Sequence, residues 1–444
     1  MRIGLFTETY RPSINGIVFV VESTKKHLEE LGHEVFIFCP ARSMRPSKHA
    51  IEFDEDEHVV RFPSVQGAFY DDYDLSLFFP PRALKMVRQL DLDVIHIFTP
   101  AQIGLLGIYA AFKTDTPLIA QHSTDLYQYV EHYPAVLPGL LALCAMLPFT
   151  IKIKGKEVRE LLSLYRPRRE RVEWNQEIVE RTVTLIYSKC DAVIALSRKS
   201  RQQLESWQHE DHHEYELTML PNGVDALKRP SKTAMASFHD AWGIAEKDEL
   251  MTFVGRLGEE KNLAMLIPTF EKVLSRRPHA KLMFVGDFEY REELEAIADA
   301  SPVRDRIIFT GSMERQELGV AYCSSKIFVF PSTKDTQGWV IHEAAHAGLP
   351  LVLIDRELSE VLQDGVNGYF AEDNPEDMAD KIVSILSSPK KYAEFSENSK
   401  KLARGFTEKR YAKKLEGVYK EAIRTHIANP RIKRDQMETL PEFE

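Results

Sequence analysis

Short apolar and β-branched runs return along the chain at 2–6, 34–38, 94–97, 118–120, 192–195 and 217–220, with helix-patterned segments between them. Alternation of this kind is what parallel strands joined by crossover helices produce, so the chain reads as α/β. After a polar, proline-containing stretch at 225–233 the rhythm restarts, with runs at 250–254, 281–285, 306–310, 327–330 and 351–354. Single cores stop growing near about 250–300 residues, and the chain has 444. Two α/β domains are therefore expected, at 1–225 and 226–405. Beyond them Tyr411, Leu415, Val418, Tyr419, Ala422 and Ile423 recur at helical spacing. They define one helix over 406–427, stopped by Asn429-Pro430, and a polar tail at 428–444 with little to bury.

Composition narrows the class. Apolar residues make up 44% and charged residues 28%, as in a folded globular protein. With 57 Lys and Arg against 67 Asp and Glu the net charge is −10, which argues against binding nucleic acid through bulk positive charge. Cys39, Cys144, Cys190 and Cys323 are scattered, without the spacing of a zinc site or a disulfide framework. The opening Met1–Phe6 enters a strand-like run without the regions of a signal peptide, so a cytoplasmic protein is expected. One segment breaks the rhythm. Residues 135–151 carry no charge, yet include Pro138, Gly139 and Pro148, and they are shorter than the roughly 20 residues of a membrane span. Residues 152–171 then hold eight basic and three acidic side chains, a local balance of +5. An apolar stretch beside a cationic one suits the headgroup layer of an anionic membrane. A core helix followed by a solvated loop is the alternative.

Three stretches carry candidate chemistry. The loop 7–17 contains Asn15-Gly16 ahead of a helical pattern, where backbone amides and the helix dipole favour an anion. It lacks the G-x-G-x-x-G fingerprint, and an ordinary Asn-Gly turn reads equally well. The second domain opens with Gly255-Arg256 and then Lys261, two cations that can neutralise a diphosphate or, alternatively, pair with Glu259 and Glu260. The third is Asp335-Thr336-Gln337-Gly338-Trp339-Val340-Ile341-His342-Glu343. It places two carboxylates eight residues apart across a loop-to-helix junction. They can face one pocket, or simply satisfy the acidic preference of a helix start.

In this order, with Gln121-His122-Ser123-Thr124-Asp125 and Pro221-Asn222-Gly223-Val224-Asp225, the motifs resemble the retaining, nucleotide-sugar-dependent glycosyltransferases of family 4. The likeness runs from Met1 to about Ile427. It implies two facing Rossmann-like domains (the GT-B arrangement) and a last helix crossing back onto the first domain. It also implies a metal-independent reaction without a cofactor. Arg256 and Lys261 would hold the diphosphate and Glu343 the ribose hydroxyls. Gly16, Asn222, Gly338, Trp339 and Val340 would complete the donor site, and His122 would bond the transferring group. Asp335 stands where the family usually has glutamate and would bind sugar hydroxyls with a shorter arm.

Retention in this family is explained by acceptor attack on the leaving-group side, so no protein nucleophile is nominated. Asp335-Thr336-Gln337-Gly338 and the aromatic stretch with Tyr127 and Tyr129 resemble the branch that glycosylates diacylglycerol. In that reading Lys152, Lys154, Lys156 and Arg159 meet an anionic membrane on the inner face, and a uridine-diphosphate-linked hexose, glucose first, is the donor. Phosphoinositide, polyprenyl-linked and soluble saccharide acceptors use the same scaffold. A nucleotide-sugar epimerase and a catalytically idle binding protein share the architecture. Asp91-Leu92-Asp93, 54–57 and 209–213 read as polar turns or surface rather than metal sites.

Overall fold

A computed structural model of the chain describes residues 1–13, 15–41, 52–53, 56–62, 64–66, 74–76, 80–125, 127, 145, 147, 150–151, 155, 157, 171–211 and 213–430. The chain folds as two units, Met1–Pro221 together with the segment from Glu408 onward, and Asn222–Thr407.

The first unit contains β1 (Arg2–Phe6), α1 (Gly16–Glu30), β2 (Glu34–Pro40), β3 (Glu52–Phe53), β4 (Val59–Phe62), β5 (Ser64–Gln66), β6 (Asp74–Ser76), α2 (Pro80–Leu90), β7 (Val94–Ile97), α3 (Gln102–Thr114), β8 (Leu118–Gln121), α4 (Arg171–Tyr187), β9 (Ala192–Ala195), α5 (Arg198–Asp211) and β10 (Leu217–Met219). Eight of the strands form one sheet in the order β10-β9-β8-β7-β1-β2-β4-β3. All pairings are parallel except β3 with β4. Parallel strands covered on both faces need apolar residues at successive positions, and β7, β8 and β9 are buried throughout.

The second unit contains α6 (Lys232–Ala241), β11 (Glu249–Val254), α7 (Leu266–Arg276), β12 (Ala280–Val285), α8 (Arg291–Asp299), β13 (Ile307–Phe309), α9 (Arg315–Ser324), β14 (Ile327–Phe330), α10 (Trp339–Ala347), β15 (Leu351–Leu353), β16 (Gly368–Phe370), α11 (Pro375–Leu386) and α12 (Pro389–Ala403). Its six parallel strands run β13-β12-β11-β14-β15-β16, the doubly wound order 3-2-1-4-5-6. Stacked Phe253 and Phe330, with ring centroids 5.5 Å apart, fill the centre between β11 and β14. In such sheets the order reverses beside the first strand, and ligands bind outside the carboxyl ends at that switch point. Here it lies between β11 and β14, and in the first unit between β1 and β7.

The last helix, α13 (Glu408–Ala428), packs against α1 and β8 of the first unit. Tyr411, Leu415, Tyr419 and Ala422 are buried there. Polar bonds pin the same face: the Tyr411 hydroxyl donates to Gln121 Oε1 at 3.0 Å, and the Tyr419 hydroxyl lies 2.7 Å from His96 Nδ1.

Candidate functional site

Both diagnostic stretches of the second unit leave strands at its switch point. The residues after β11 carry Gly255, Arg256 and Lys261, and those after β14 carry Asp335 to Glu343. A short 3₁₀ turn over Glu259–Lys261 points Lys261 inward, where it is only 9% exposed. Its Nζ donates to Asp335 Oδ1 at 2.5 Å. Burial raises the Asp335 pKa, but Lys261, with Ser332 and Arg256, outweighs it and holds the carboxyl below its ordinary value. Asp335 Oδ2 is buried and has no hydrogen-bond partner among the described residues. One carboxylate oxygen thus anchors the lysine while the other remains an open acceptor.

Arg256 behaves differently. Its guanidinium lies over the Phe288 ring, 4.7 Å from the centroid, and approaches Glu260 Oε1 at 3.4 Å. The pairing with a neighbouring glutamate that the loop sequence allowed is therefore made by Arg256 and not by Lys261. Arg256 is also 42% exposed at its side chain, within reach of an incoming anion.

Gly338 has φ +67° and begins α10, a backbone conformation that glycine adopts without strain. A Cβ there would meet Ile341 Cδ1 at 2.5 Å. Trp339 and Val340 follow in the first turn, where helix amides are open to an anion. Glu343 is buried one turn further on, its Oε2 accepting from the Tyr322 hydroxyl at 3.0 Å and its Oε1 lying 3.6 Å from Arg315 Nε. Gln337 clamps Asn222 through both amide groups: the Asn222 N–H donates to Gln337 Oε1 at 3.0 Å, and Gln337 Nε2 donates to the Asn222 carbonyl at 2.9 Å. The second unit thus gathers Arg256, Lys261, Asp335, Gly338, Trp339, Val340, Glu343 and Asn222 around one strand-end loop system. Gln337, Arg315 and Tyr322 belong to that system too. The sequence carries Gln337 inside the Asp335–Glu343 stretch without giving it a role at the donor, and no local motif marks the other two.

Gly16 and His122 lie in the first unit. Gly16 is the exposed first residue of α1, and Asn15 caps that helix by accepting from the Val18 N–H at 3.1 Å. His122 follows β8, buried against Tyr187 and Trp207 in edge-to-face contacts. Its Nδ1 lies 3.1 Å from the Tyr187 hydroxyl, and its Nε2 has no partner among the described residues. Burial lowers its pKa, against the opposing pull of Asp125, so the neutral ring is the ordinary state. Tyr127 packs on Trp207 with ring centroids 5.5 Å apart.

Tyr129, Lys152, Lys154, Lys156 and Arg159 lie outside the described residues. Where the uncharged stretch 135–151 is described, Leu147 and Ile151 join the core of the first unit. Among the described residues no helix is long and apolar enough to cross a membrane. The Asp91-Leu92-Asp93 letters form a turn: Asp91 has φ +48°, and Asp93 Oδ2 accepts from the Arg2 N–H at 2.7 Å.

Sequence models of two families match the chain: Glycosyltransferase Family 4 over residues 14–227 and Glycosyl transferases group 1 over residues 235–402. The alpha-monoglucosyldiacylglycerol synthase of Acholeplasma laidlawii is 27% identical over 431 residues, 95% of this chain and 98% of that one. A GDP-mannose-dependent alpha-mannosyltransferase of Corynebacterium glutamicum is 26% identical over 84% of this chain and 77% of its own. The crystal structure of Anabaena Alr3699/HepE in complex with UDP-glucose superposes with a TM-score of 0.65 and 17% identity, covering 94% of this chain and 99% of that one. Its likeness is one of fold, the GT-B fold.

Proposed function

We propose, from a chain that belongs to the family 4 glycosyltransferases with a group 1 glycosyltransferase domain, that it moves a hexose, glucose first, from a uridine diphosphate sugar to 1,2-diacylglycerol with retention. The observation that carries the donor half is the buried Lys261–Asp335 pair beside Arg256 at the carboxyl end of β11 and β14. As the glycosidic bond breaks, negative charge grows on the departing diphosphate and positive charge on the sugar ring. Lys261 and Arg256 stabilise the first, and fixed charges aimed at developing charge are the largest catalytic lever such sites have. Asp335 Oδ2 accepts from a sugar hydroxyl, and Glu343 accepts from the ribose diol. The Gly338, Trp339 and Val340 amides face phosphate. The acceptor attacks on the face the diphosphate leaves, and the departing phosphate oxygen takes its proton. In this reading His122 Nε2 bonds the transferring group. No step calls for a metal, so EDTA leaves turnover unchanged.

The acceptor half is supported by the likeness to the A. laidlawii synthase over 95% of the chain and by the +5 segment at 152–171, which suits an anionic lipid surface on the cytoplasmic side. A second reading, mannosyl transfer from GDP-mannose, is favoured by the C. glutamicum relative. Release of nucleoside diphosphate from UDP-glucose, UDP-galactose and GDP-mannose, with and without anionic liposomes containing diacylglycerol, separates them. Release from UDP-glucose only when diacylglycerol is present supports the first reading. Release from GDP-mannose supports the second, and lipid-indifferent turnover discards the membrane acceptor.

A further inference from the structure

The acid at the end of the motif is held by a helix that the motif does not include. Arg315 and Tyr322 stand seven residues apart on α9, two turns, and so share one face. That face meets α10. The Tyr322 hydroxyl donates to Glu343 Oε2 at 3.0 Å, and Arg315 Nε lies 3.6 Å from Glu343 Oε1. Burial and then Glu343 push the Tyr322 pKa well up, so the phenol keeps the proton it donates. Arg315 is itself fixed from the other side, its guanidinium 5.0 Å from the centroid of the Trp339 ring. The two oxygens of one carboxylate, only 7% exposed, thus face two different groups on a single neighbouring helix.

We infer that Arg315, with Tyr322 behind it, is a positioning residue of the donor site, setting the direction from which Glu343 meets the ribose of the nucleotide. The inference rests on the reading of Glu343 as the ribose ligand. A carboxylate on a helix has several rotamers, and a hydrogen bond to a diol needs one of them. With Oε2 bonded to the phenol, rotation is already restricted. The Arg315 side chain, pinned between indole and carboxylate, removes the remaining freedom. Because Arg315 acts before any bond breaks, its loss weakens donor affinity and leaves the rate of the bound donor nearly unchanged. The role belongs to Arg rather than Lys, because a planar guanidinium can lie on the indole and face the carboxylate at once.

The test uses the full chain and titrates UDP and GDP calorimetrically, taking the tighter binder as probe. Arg315→Ala is expected to weaken its binding at least tenfold with kcat within threefold of the parent, Arg315→Lys to recover only part, and Tyr322→Phe to weaken it less than Arg315→Ala. The decisive arm is the pair with Glu343→Gln: if Arg315 acts through Glu343, Arg315→Ala costs less than twofold in that background. An equal loss in both backgrounds overturns the inference, as does unchanged binding by Arg315→Ala while Glu343→Gln binds weakly. Unchanged binding by Glu343→Gln alone overturns the ribose reading beneath it, a separate and distinguishable failure.

Discussion

Lys261 and Arg256 are five residues apart and carry the same charge, yet the fold uses them differently. Arg256 stays at the surface on Phe288 and beside Glu260, while Lys261 turns inward to Asp335, the two side chains 11% and 19% exposed. Removing one member of a buried pair leaves an uncompensated charge, at a cost of about 3–5 kcal/mol. Lys261→Ala is therefore expected to lose stability as well as about a hundredfold or more in turnover. Adding Asp335→Asn to Lys261→Ala removes the stranded charge, so thermal unfolding should recover towards the parent while turnover does not. A double variant that regains activity with its stability would show that the pair serves folding alone. Arg256→Ala, at an exposed site, should lose turnover with little change in unfolding temperature. The motif residues were legible in the sequence because they sit just past strand ends, and apolar runs mark those ends. Arg315 and Tyr322 were not: their place is set by α9 facing α10, a tertiary pairing that no local spacing records.

At the level of elements, the loops after β11 and β12 are locked together by two glycines. The Gly255 N–H donates to the Val285 carbonyl at 3.0 Å, and a Cβ on Gly286 would come within 1.9 Å of the Gly255 carbonyl oxygen. Gly286 also has φ +141°, outside the range of ordinary side chains. Gly286→Ala must push the Gly255 backbone aside, and Arg256 is the next residue. Strain of this kind is of order 1–3 kcal/mol, and the expected result is at least a tenfold loss of turnover with circular dichroism unchanged. Gly405→Ala, where nothing lies within 4 Å of the added carbon, is the matched control and should behave as the parent. Alternating strands and helices were readable in the sequence from 2–6 through 351–354, because buried parallel strands write continuous apolar runs. Five short strands escaped it, β3, β4, β5, β6 and β16, and two of them show why. Val59–Phe62 carries Arg61 in its middle, and Gly368–Phe370 is three residues long and opens on glycine.

Across the whole molecule, each unit encloses a histidine in its neutral form. In the first unit His96 on β7 is fully buried, its Nδ1 bonded to Tyr419 of α13, and burial pushes its pKa down from 6.5 to about 3. In the second, His342 on α10 is fully buried, its Nε2 3.3 Å from the Ser359 hydroxyl, and burial, helped by His346, lowers its pKa to about 3. Because α13 supplies the partner of His96, a chain ending at Thr407 loses the cover of Tyr411, Leu415 and Tyr419 as well. At about 1.5–3 kcal/mol for each large side chain, that loss approaches the whole stability of an ordinary domain, so the first unit of such a chain is expected to unfold. In the full chain acid acts on both units. Above pH 6.5 both rings are neutral whether the chain is folded or not, and their contribution is constant. Below it the unfolded chain takes up a proton on each ring that the folded chain refuses until about pH 3, so stability falls as pH falls across that window. The slope approaches about 1.4 kcal/mol per pH unit for each histidine. Urea unfolding from pH 8 to pH 5 should therefore show a flat region and then a steep loss, and His342→Gln should flatten the loss in the second unit's transition while leaving the first unit's slope in place. Equal slopes in the parent and the variant would show that His342 does not stay neutral in the folded chain.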